Sequence, residues 1–128
     1  MLQRPISWPN GAKVVCAITL NMDTDSLVHI HHGQNAPNKL LATSMLRYGP
    51  EAAIPRILDT YRRYGLKQSF FIPAWCIENH PNAVDAIVKD GHEIEHHGYI
   101  HEAPNSLSHD QVHDWMCRSI EIIQRHTG

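Results

Sequence analysis

The sequence predicts an α/β fold in which parallel strands alternate with helices, arranged as three βα units. Two observations predict this fold. Short apolar runs of strand length alternate along the chain with longer segments whose apolar residues recur at helical spacing. The predicted strands are also largely apolar, as strands are when helices cover both faces of a parallel sheet. A chain of 128 residues is long enough for one such domain with one core.

The first predicted unit joins a strand to a helix through a long polar segment. The strand covers residues 13–21, an apolar and β-branched run. Residues 22–49 are predicted to be a loop, and a loop of this length in a compact domain is usually functional or disordered. The helix covers residues 51–64, with a proline just before it and Gly65 at its end.

The second and third predicted units are shorter. The second has a strand over residues 66–72 and a helix that begins at residues 80–81. The third has a strand over residues 92–96 and a helix from the N-cap Ser108 to Arg125. In parallel α/β sheets, sites form at the carboxyl ends of the strands. Polar residues just beyond those ends are therefore the first candidates for function.

Composition and charge exclude several classes of function. The net charge of −2 gives no support for binding to nucleic acid or to an anionic membrane. No apolar run approaches the ~20 residues of a membrane span, and the N-terminal residues lack the apolar segment of a signal peptide. The cysteines are odd in number and far apart, which predicts reduced, buried thiols in a cytoplasmic protein. They are Cys16, Cys76 and Cys117.

Histidine is the unusual residue in the composition, with 11 in 128 residues. Seven of them fall into two clusters, which favours metal binding because histidine is the commonest metal ligand. For most of the histidines, a solvated surface position is the simpler interpretation, and it is preferred for the first cluster. The clusters are His29, His31 and His32, and then His92, His96, His97 and His101.

Two short motifs are placed to form one metal site. Asp23 and Asp25 follow the first predicted strand, and His97 and His101 follow the third. If the two strands lie side by side and parallel, both motifs emerge at the same edge of the sheet. Asp25, His97 and His101 are then predicted to hold a divalent ion and leave positions open for water and substrate. Asp23 is predicted to act as general base on a metal-activated water.

Each motif also has a simpler interpretation. Taken alone, Asp23 and Asp25 suit a turn after a strand, and the two histidines suit a solvated loop. His96 is predicted to pack against neighbouring residues, or to contact a metal-binding side chain without binding the ion itself. Glu102 suits either a charge at a helix entry or a functional group. Trp75 is predicted to be a core aromatic rather than a pocket wall.

These motifs resemble those of the polysaccharide deacetylase family, carbohydrate esterase family 4. The first family motif carries a base and a metal ligand, matched by Asp23 and Asp25, and the second is His-x-x-x-His, matched by His97 and His101. The Asp-x-Asp form and the Gly-Tyr-x-His-Glu-x-Pro run are similar to a subgroup. It includes peptidoglycan deacetylase-like enzymes, cyclic imide hydrolases and allantoinase-like enzymes. The resemblance covers about residues 12–128.

The resemblance implies the N-terminal part of a distorted (β/α) barrel and a divalent metal, usually zinc. It also implies hydrolysis of a non-peptide C–N bond and frequent oligomers. Family catalytic domains have roughly twice this length, and three βα units are too few to close a barrel. Residues 1–128 are therefore predicted to be a partial polysaccharide deacetylase-like domain that lacks the later motifs, including the general acid. A homo-oligomer or a second chain is expected to complete the barrel.

Three functions follow as competing hypotheses. The first is a metal-dependent hydrolase of amide C–N bonds of the deacetylase type, acting on an N-acetyl sugar or another small molecule. An alternative within the same family is a hydrolase of cyclic imides or allantoin-type rings. The second class is a non-catalytic metal-binding or interaction fragment, because the later catalytic motifs are missing. A structural α/β fragment with solvated histidines is a further alternative.

Overall fold

A computed structural model describes residues 7–128 and contains a three-stranded parallel sheet. The strands are β1 (Thr19–Asn21), β2 (Ser69–Ile72) and β3 (Glu93–His96), and they lie in the order β1-β2-β3. Thr19 pairs with Ser69 and Ser69 with Glu93, so the three strands begin at the same level. The predicted α/β fold with parallel strands is confirmed.

Helices alternate with these strands. They are α1 (Ser26–His32), α2 (Leu40–Tyr48), α3 (Ile54–Tyr64), α4 (Ala74–Asn79), α5 (Pro81–Lys89) and α6 (His109–Thr127). A 3-10 segment over Gly33–Asn38 joins α1 to α2, and a π-helical turn over Gly49–Ala53 joins α2 to α3. No helix between residues 7 and 128 is long and apolar enough to cross a membrane.

The first predicted strand is wrong over most of its length. Residues 13–21 were expected to pair, but only the last three do. Thr19 is opposite Ser69, where β2 begins, so the residues before Thr19 extend past the end of the neighbouring strand. Val14 and Val15 are accordingly 79% and 52% exposed. β2 also begins later than predicted, at residue 69 instead of 66.

The loop predicted over residues 22–49 is also wrong, because most of it is helical. Leu40, Leu41 and Met45 have the spacing of a helix face, yet all three are exposed and α2 buries no residue. The chain remains helical from α2 through the π turn into α3. This continuity favours α2, because extending an existing helix avoids the cost of a new nucleus.

The core lies between the sheet and the helices that cover it. Phe70 and Ile72 of β2 are fully buried, as expected for the central strand of a parallel sheet. Helices α3, α5 and α6 each contribute apolar residues that recur at helical spacing. The main contributors are Ile54 and Leu58, Val84 and Ile87, and Ile122.

The last helix begins as the sequence predicts. Ser108 caps α6: its hydroxyl accepts a hydrogen bond from the Gln111 backbone N–H at 3.2 Å, and the Gln111 side chain accepts one from the Ser108 N–H at 2.9 Å. The helix ends at Thr127, two residues beyond the prediction. Ser119 and Ile122 face inward, so α6 packs beside α4 and β3 and supports the loop that follows β3.

The cysteine prediction is correct only in part. Cys16, Cys76 and Cys117 are all free thiols, but only Cys76 is buried. Cys16 precedes β1 in the unpaired segment, and Cys117 lies on the solvent side of α6.

Candidate metal centre

The two motifs meet at one edge of the sheet, although their strands are not neighbours. β2 lies between β1 and β3, which corrects the expectation that the two strands are adjacent. All three strands run in the same direction, so the residues after β1 and after β3 still emerge at the same edge. The Asn21 amide nitrogen, at the end of β1, lies 3.3 Å from His97 Nε2.

Asp23, His97 and His101 form a compact group of possible metal ligands. One ligand atom from each lies within 4.8 Å of the others. The His97 and His101 ring centroids are 4.8 Å apart, and His97 Nε2 is 3.4 Å from Asp23 Oδ1. Asp23 Oδ1 is buried and has no hydrogen-bond partner among the described residues. Two imidazoles and an unpaired carboxylate oxygen fit a divalent cation such as zinc.

The charge state of His97 suits this role. Burial lowers the pKa of His97, and the neighbouring His101 and His96 lower it further, while Asp23 acts in the opposite direction. The net effect favours the neutral imidazole. Only the neutral ring has a lone pair available for a metal ion.

Asp25 lies in a different environment. Its side chain is 3% exposed, with Oδ1 2.6 Å from His80 Nε2 and Oδ2 3.4 Å from Arg47 Nε. Burial would raise the pKa of Asp25, but the hydrogen bond and charge of His80 outweigh it, and the pKa lies below its ordinary value. In this structure Asp25 thus belongs with His80 and Arg47 and not with the histidine pair. Its predicted role as a metal ligand stays a prediction.

The backbone at Thr24 separates the two carboxylates. Thr24 has φ 52°, in the left-handed region that a β-branched residue rarely adopts. Residues 23–25 therefore form a sharp turn. The turn is enclosed: the Ser26 hydroxyl donates to the Asp23 carbonyl at 2.6 Å, and Cys76 Sγ lies 3.1 Å from Thr24 Oγ1. Strained backbone of this kind is often found at functional sites.

The second motif is a loop organised by Glu102. Its carboxylate accepts the backbone N–H of Tyr99 at 3.0 Å and that of Ile100 at 2.8 Å. Gly98 has φ 77°, and a Cβ atom there would lie 3.0 Å from the same carboxylate, so this position favours glycine. His101 is also left-handed, with φ 67°. The sequence allows Glu102 to be either a charge at a helix entry or a functional group, and in the structure it holds this loop.

Helices α4 and α6 fix the same loop from outside. The backbone N–H of Trp75 donates to the Tyr99 carbonyl at 2.7 Å. The Tyr99 ring stacks on Trp115 with centroids 4.4 Å apart, the Arg118 guanidinium lies 4.1 Å from its centre, and its hydroxyl donates to Glu78 at 3.1 Å. The positions of the histidines after β3 thus depend on α4 and α6.

The other candidate residues lie around this centre. Trp75 is half-buried against the core and contacts His29, with ring centroids 4.7 Å apart. His29 is therefore half-buried on α1, whereas His31 and His32 are exposed as predicted. His96 is half-buried, and its Nε2 has no partner among the described residues.

Two open clefts lead to the ligand group. One of about 410 Å³ lies beside Asp23 and is lined by side chains of α2 and α3, including Met45 and Ile57. The other, of about 400 Å³, is lined by His97 and His101 together with Met116 of α6. A substrate placed in either cleft would reach one side of the group.

Comparison with known protein families decides the family. The model of the family described as polysaccharide deacetylase matches residues 36–128, which is more than half of the chain. The chain belongs to the polysaccharide deacetylase family. The family predicted from the motifs is thereby confirmed. The matched region contains His97 and His101 but begins after Asp23 and Asp25.

Individual members of the polysaccharide deacetylase family resemble the chain over part of their length. A peptidoglycan deacetylase from Helicobacter pylori is 33% identical over 96 residues, which is 75% of this chain and 32% of that protein. A putative polysaccharide deacetylase from Mycobacterium smegmatis has a crystal structure that superposes with a TM-score of 0.89 and 30% identity. That superposition covers 97% of this chain and 43% of the other.

The fold is shared with a protein that is named for a different activity. The crystal structure of Puue allantoinase superposes with a TM-score of 0.81 at 24% identity and covers 98% of this chain and 48% of that one. This likeness shows the fold alone. The three βα units thus match part of larger structures, and the chain spans about a third of the H. pylori relative.

Proposed function

We propose that this chain supplies the metal centre of a hydrolase that cleaves amide C–N bonds of the deacetylase type, with zinc as the ion. The observation that carries the proposal is the convergence of Asp23, His97 and His101 at the carboxyl ends of parallel strands in a polysaccharide deacetylase family member. As part of the same proposal, residues 1–128 form part of a larger domain. An oligomer or a second chain completes that domain.

The proposed roles follow the family motifs that these residues match. A bound zinc ion would polarise a substrate carbonyl and lower the pKa of a bound water to ~7. We assign Asp25, His97 and His101 to hold the ion and Asp23 to accept the proton of the attacking water. Asp23 suits a base, because its Oδ1 is buried and has no hydrogen-bond partner among the described residues, although His97 Nε2 lies 3.4 Å away. Clefts on both sides allow an amide to reach it.

The competing assignment exchanges the two carboxylates. Asp23 lies with the histidines in this structure, so it is the alternative metal ligand. Asp25 would then be a structural charge paired with His80. The two assignments differ in what each carboxylate contributes to metal binding and to turnover, and both quantities can be measured.

The test compares Asp23→Asn with Asp25→Asn in the longest natural polypeptide that contains these residues. We expect Asp25→Asn to lose bound zinc. We expect Asp23→Asn to keep one zinc per chain and to lose turnover by roughly 10²–10⁴-fold, the usual contribution of a general base. Zinc content is measured by elemental mass spectrometry and turnover by acetate release. Loss of zinc in Asp23→Asn with retention in Asp25→Asn would establish the exchanged roles.

The substrate is proposed to be an N-acetylated sugar. The H. pylori relative is named a peptidoglycan deacetylase, and open clefts suit a sugar polymer better than a closed pocket does. A panel of N-acetylglucosamine oligomers and cyclic imides separates this from ring hydrolysis, the second candidate. Zinc binding without turnover of either class would favour the non-catalytic alternative.

A further inference from the structure

We propose that His80 is a positioning residue that fixes one oxygen of Asp25 and thereby orients the carboxylate for the metal ion. The inference rests on the proposed function, in which Asp25 is a ligand. His80 Nε2 lies 2.6 Å from Asp25 Oδ1, and the two side chains are only 10% and 3% exposed. A short hydrogen bond in an enclosed site directs a side chain more strongly than a solvated one.

Backbone hydrogen bonds fix the position of His80. His80 lies between α4 and α5, where its N–H donates to the Cys76 carbonyl at 2.8 Å and its own carbonyl accepts the N–H of Ala83 at 3.1 Å. Pro81 follows and begins α5. The Trp75 ring lies edge-on to the imidazole with centroids 6.2 Å apart. His80 is therefore held by two helices and can act as a fixed donor.

The two oxygens of Asp25 differ in how firmly they are held. Oδ1 is bound to the enclosed His80, whereas Oδ2 is 3.4 Å from Arg47, a side chain that is 54% exposed. A hydrogen bond of that length is weak, and an exposed arginine has water as an alternative partner. Oδ2 is the oxygen that an ion could take over. A ligating carboxylate usually has its other oxygen hydrogen-bonded in this manner.

Two other roles for His80 predict different results. If His80 competed with the ion for Asp25, its removal would strengthen zinc binding. If the pair served only the fold, its removal would change stability but not zinc affinity. The positioning role predicts weaker zinc binding in a protein that remains folded, and it predicts that the effect depends on Asp25.

The experiment measures zinc affinity by competition with a chromophoric chelator in the wild type, His80→Leu and His80→Gln. Leucine removes the donor, whereas the glutamine amide can replace Nε2. His31→Leu is the matched control, because His31 is exposed on α1. We expect His80→Leu to bind zinc roughly 10–100-fold more weakly, as when partners outside the coordination sphere are removed. His80→Gln should retain most of the affinity, and His31→Leu should be unchanged.

A double variant tests whether His80 acts through Asp25. Asp25→Asn keeps both histidines, so it should retain a weak zinc affinity that chelator competition can measure although zinc is lost on purification. In that background, His80→Leu should cause no further loss of zinc affinity. Zinc affinity of His80→Leu within threefold of wild type, or tighter, would overturn the inference and leave the proposed function intact. If His80→Leu does not fold, a folded His80→Gln that loses as much affinity as Asp25→Asn would overturn it too. A wild type without zinc affinity would overturn both.

Discussion

A single left-handed residue gives two neighbouring carboxylates different surroundings. Thr24, with φ 52°, turns Asp23 toward His97 and His101 and Asp25 toward His80. Asp23 has a buried oxygen without a partner among the described residues, while both oxygens of Asp25 are engaged. Residues of one type can take different chemical roles when their environments differ to this extent.

The Glu102 carboxylate is predicted to be necessary for the loop that carries His101. Glu102→Ala leaves two loop N–H groups without their charged acceptor, so we expect a loss of about 1–3 kcal/mol in the free energy of unfolding. Zinc affinity should fall as well, because the loop then loses its fixed shape. Urea unfolding and zinc competition measure the two effects. Glu121→Ala, on the exposed side of α6, is the control, and equal behaviour of the two variants would refute this role.

At the residue scale, the sequence predicts that the two motifs converge, with Asp25 as the ligand beside His97 and His101. The structure places Asp23 with the histidines instead. Parallel strands bring their carboxyl ends together, so the convergence follows from topology. The left-handed turn at Thr24 has no local signal, because a β-branched residue is normally excluded from it. The sequence marks His80 only as the start of a helix, because its contact with Asp25 joins residues 55 positions apart.

At the scale of elements, α3, α5, α6 and all three strands were predicted from spacing and capping. Strand bounds were not, because β1 can pair only as far as β2 extends. α4 was missed because it is a six-residue helix directly after Pro73. Its position nevertheless matters, since its backbone holds the loop of the second motif.

The entry into β3 is predicted to make stability depend on pH. His92 is buried, and its Nδ1 accepts the backbone N–H of Gln68 at 3.3 Å, so the fold needs the neutral ring. Burial lowers the pKa of His92 and the Lys67 charge adds to this, against an opposite effect of Asp90. The stabilising contribution is therefore complete above the unfolded pKa of ~6.5 and is lost as pH falls toward the folded pKa.

The measurement is the free energy of unfolding between pH 7 and pH 5 with a chelator present, so that metal loss does not contribute. We expect stability to decrease toward pH 5 and the decrease to be smaller in His92→Gln. His97 has a lowered pKa of the same sign, so the slope should not vanish. His109→Gln is the control, since that side chain is 96% exposed. An unchanged slope in His92→Gln would contradict the account.

At the scale of the whole molecule, the fold explains why residues far apart in the sequence form one site. Three parallel strands starting at one level bring the motifs after β1 and β3 to a common edge, and α4 and α6 hold the second motif there. The predicted oligomer or completing chain stays a prediction, as does the cytoplasmic location. The chain matches larger proteins over only part of their length. Turnover should therefore be measured on the longest natural polypeptide that contains these residues.

The central claim is that Asp and His side chains at this edge hold a metal ion. The most direct measurement is native mass spectrometry of the protein purified without added metal, beside a variant that combines His97→Ala with His101→Ala. We predict a mass increment of one zinc ion per chain in the wild type and its loss in the variant. A wild type without metal, or a variant that retains the same increment, would contradict the account.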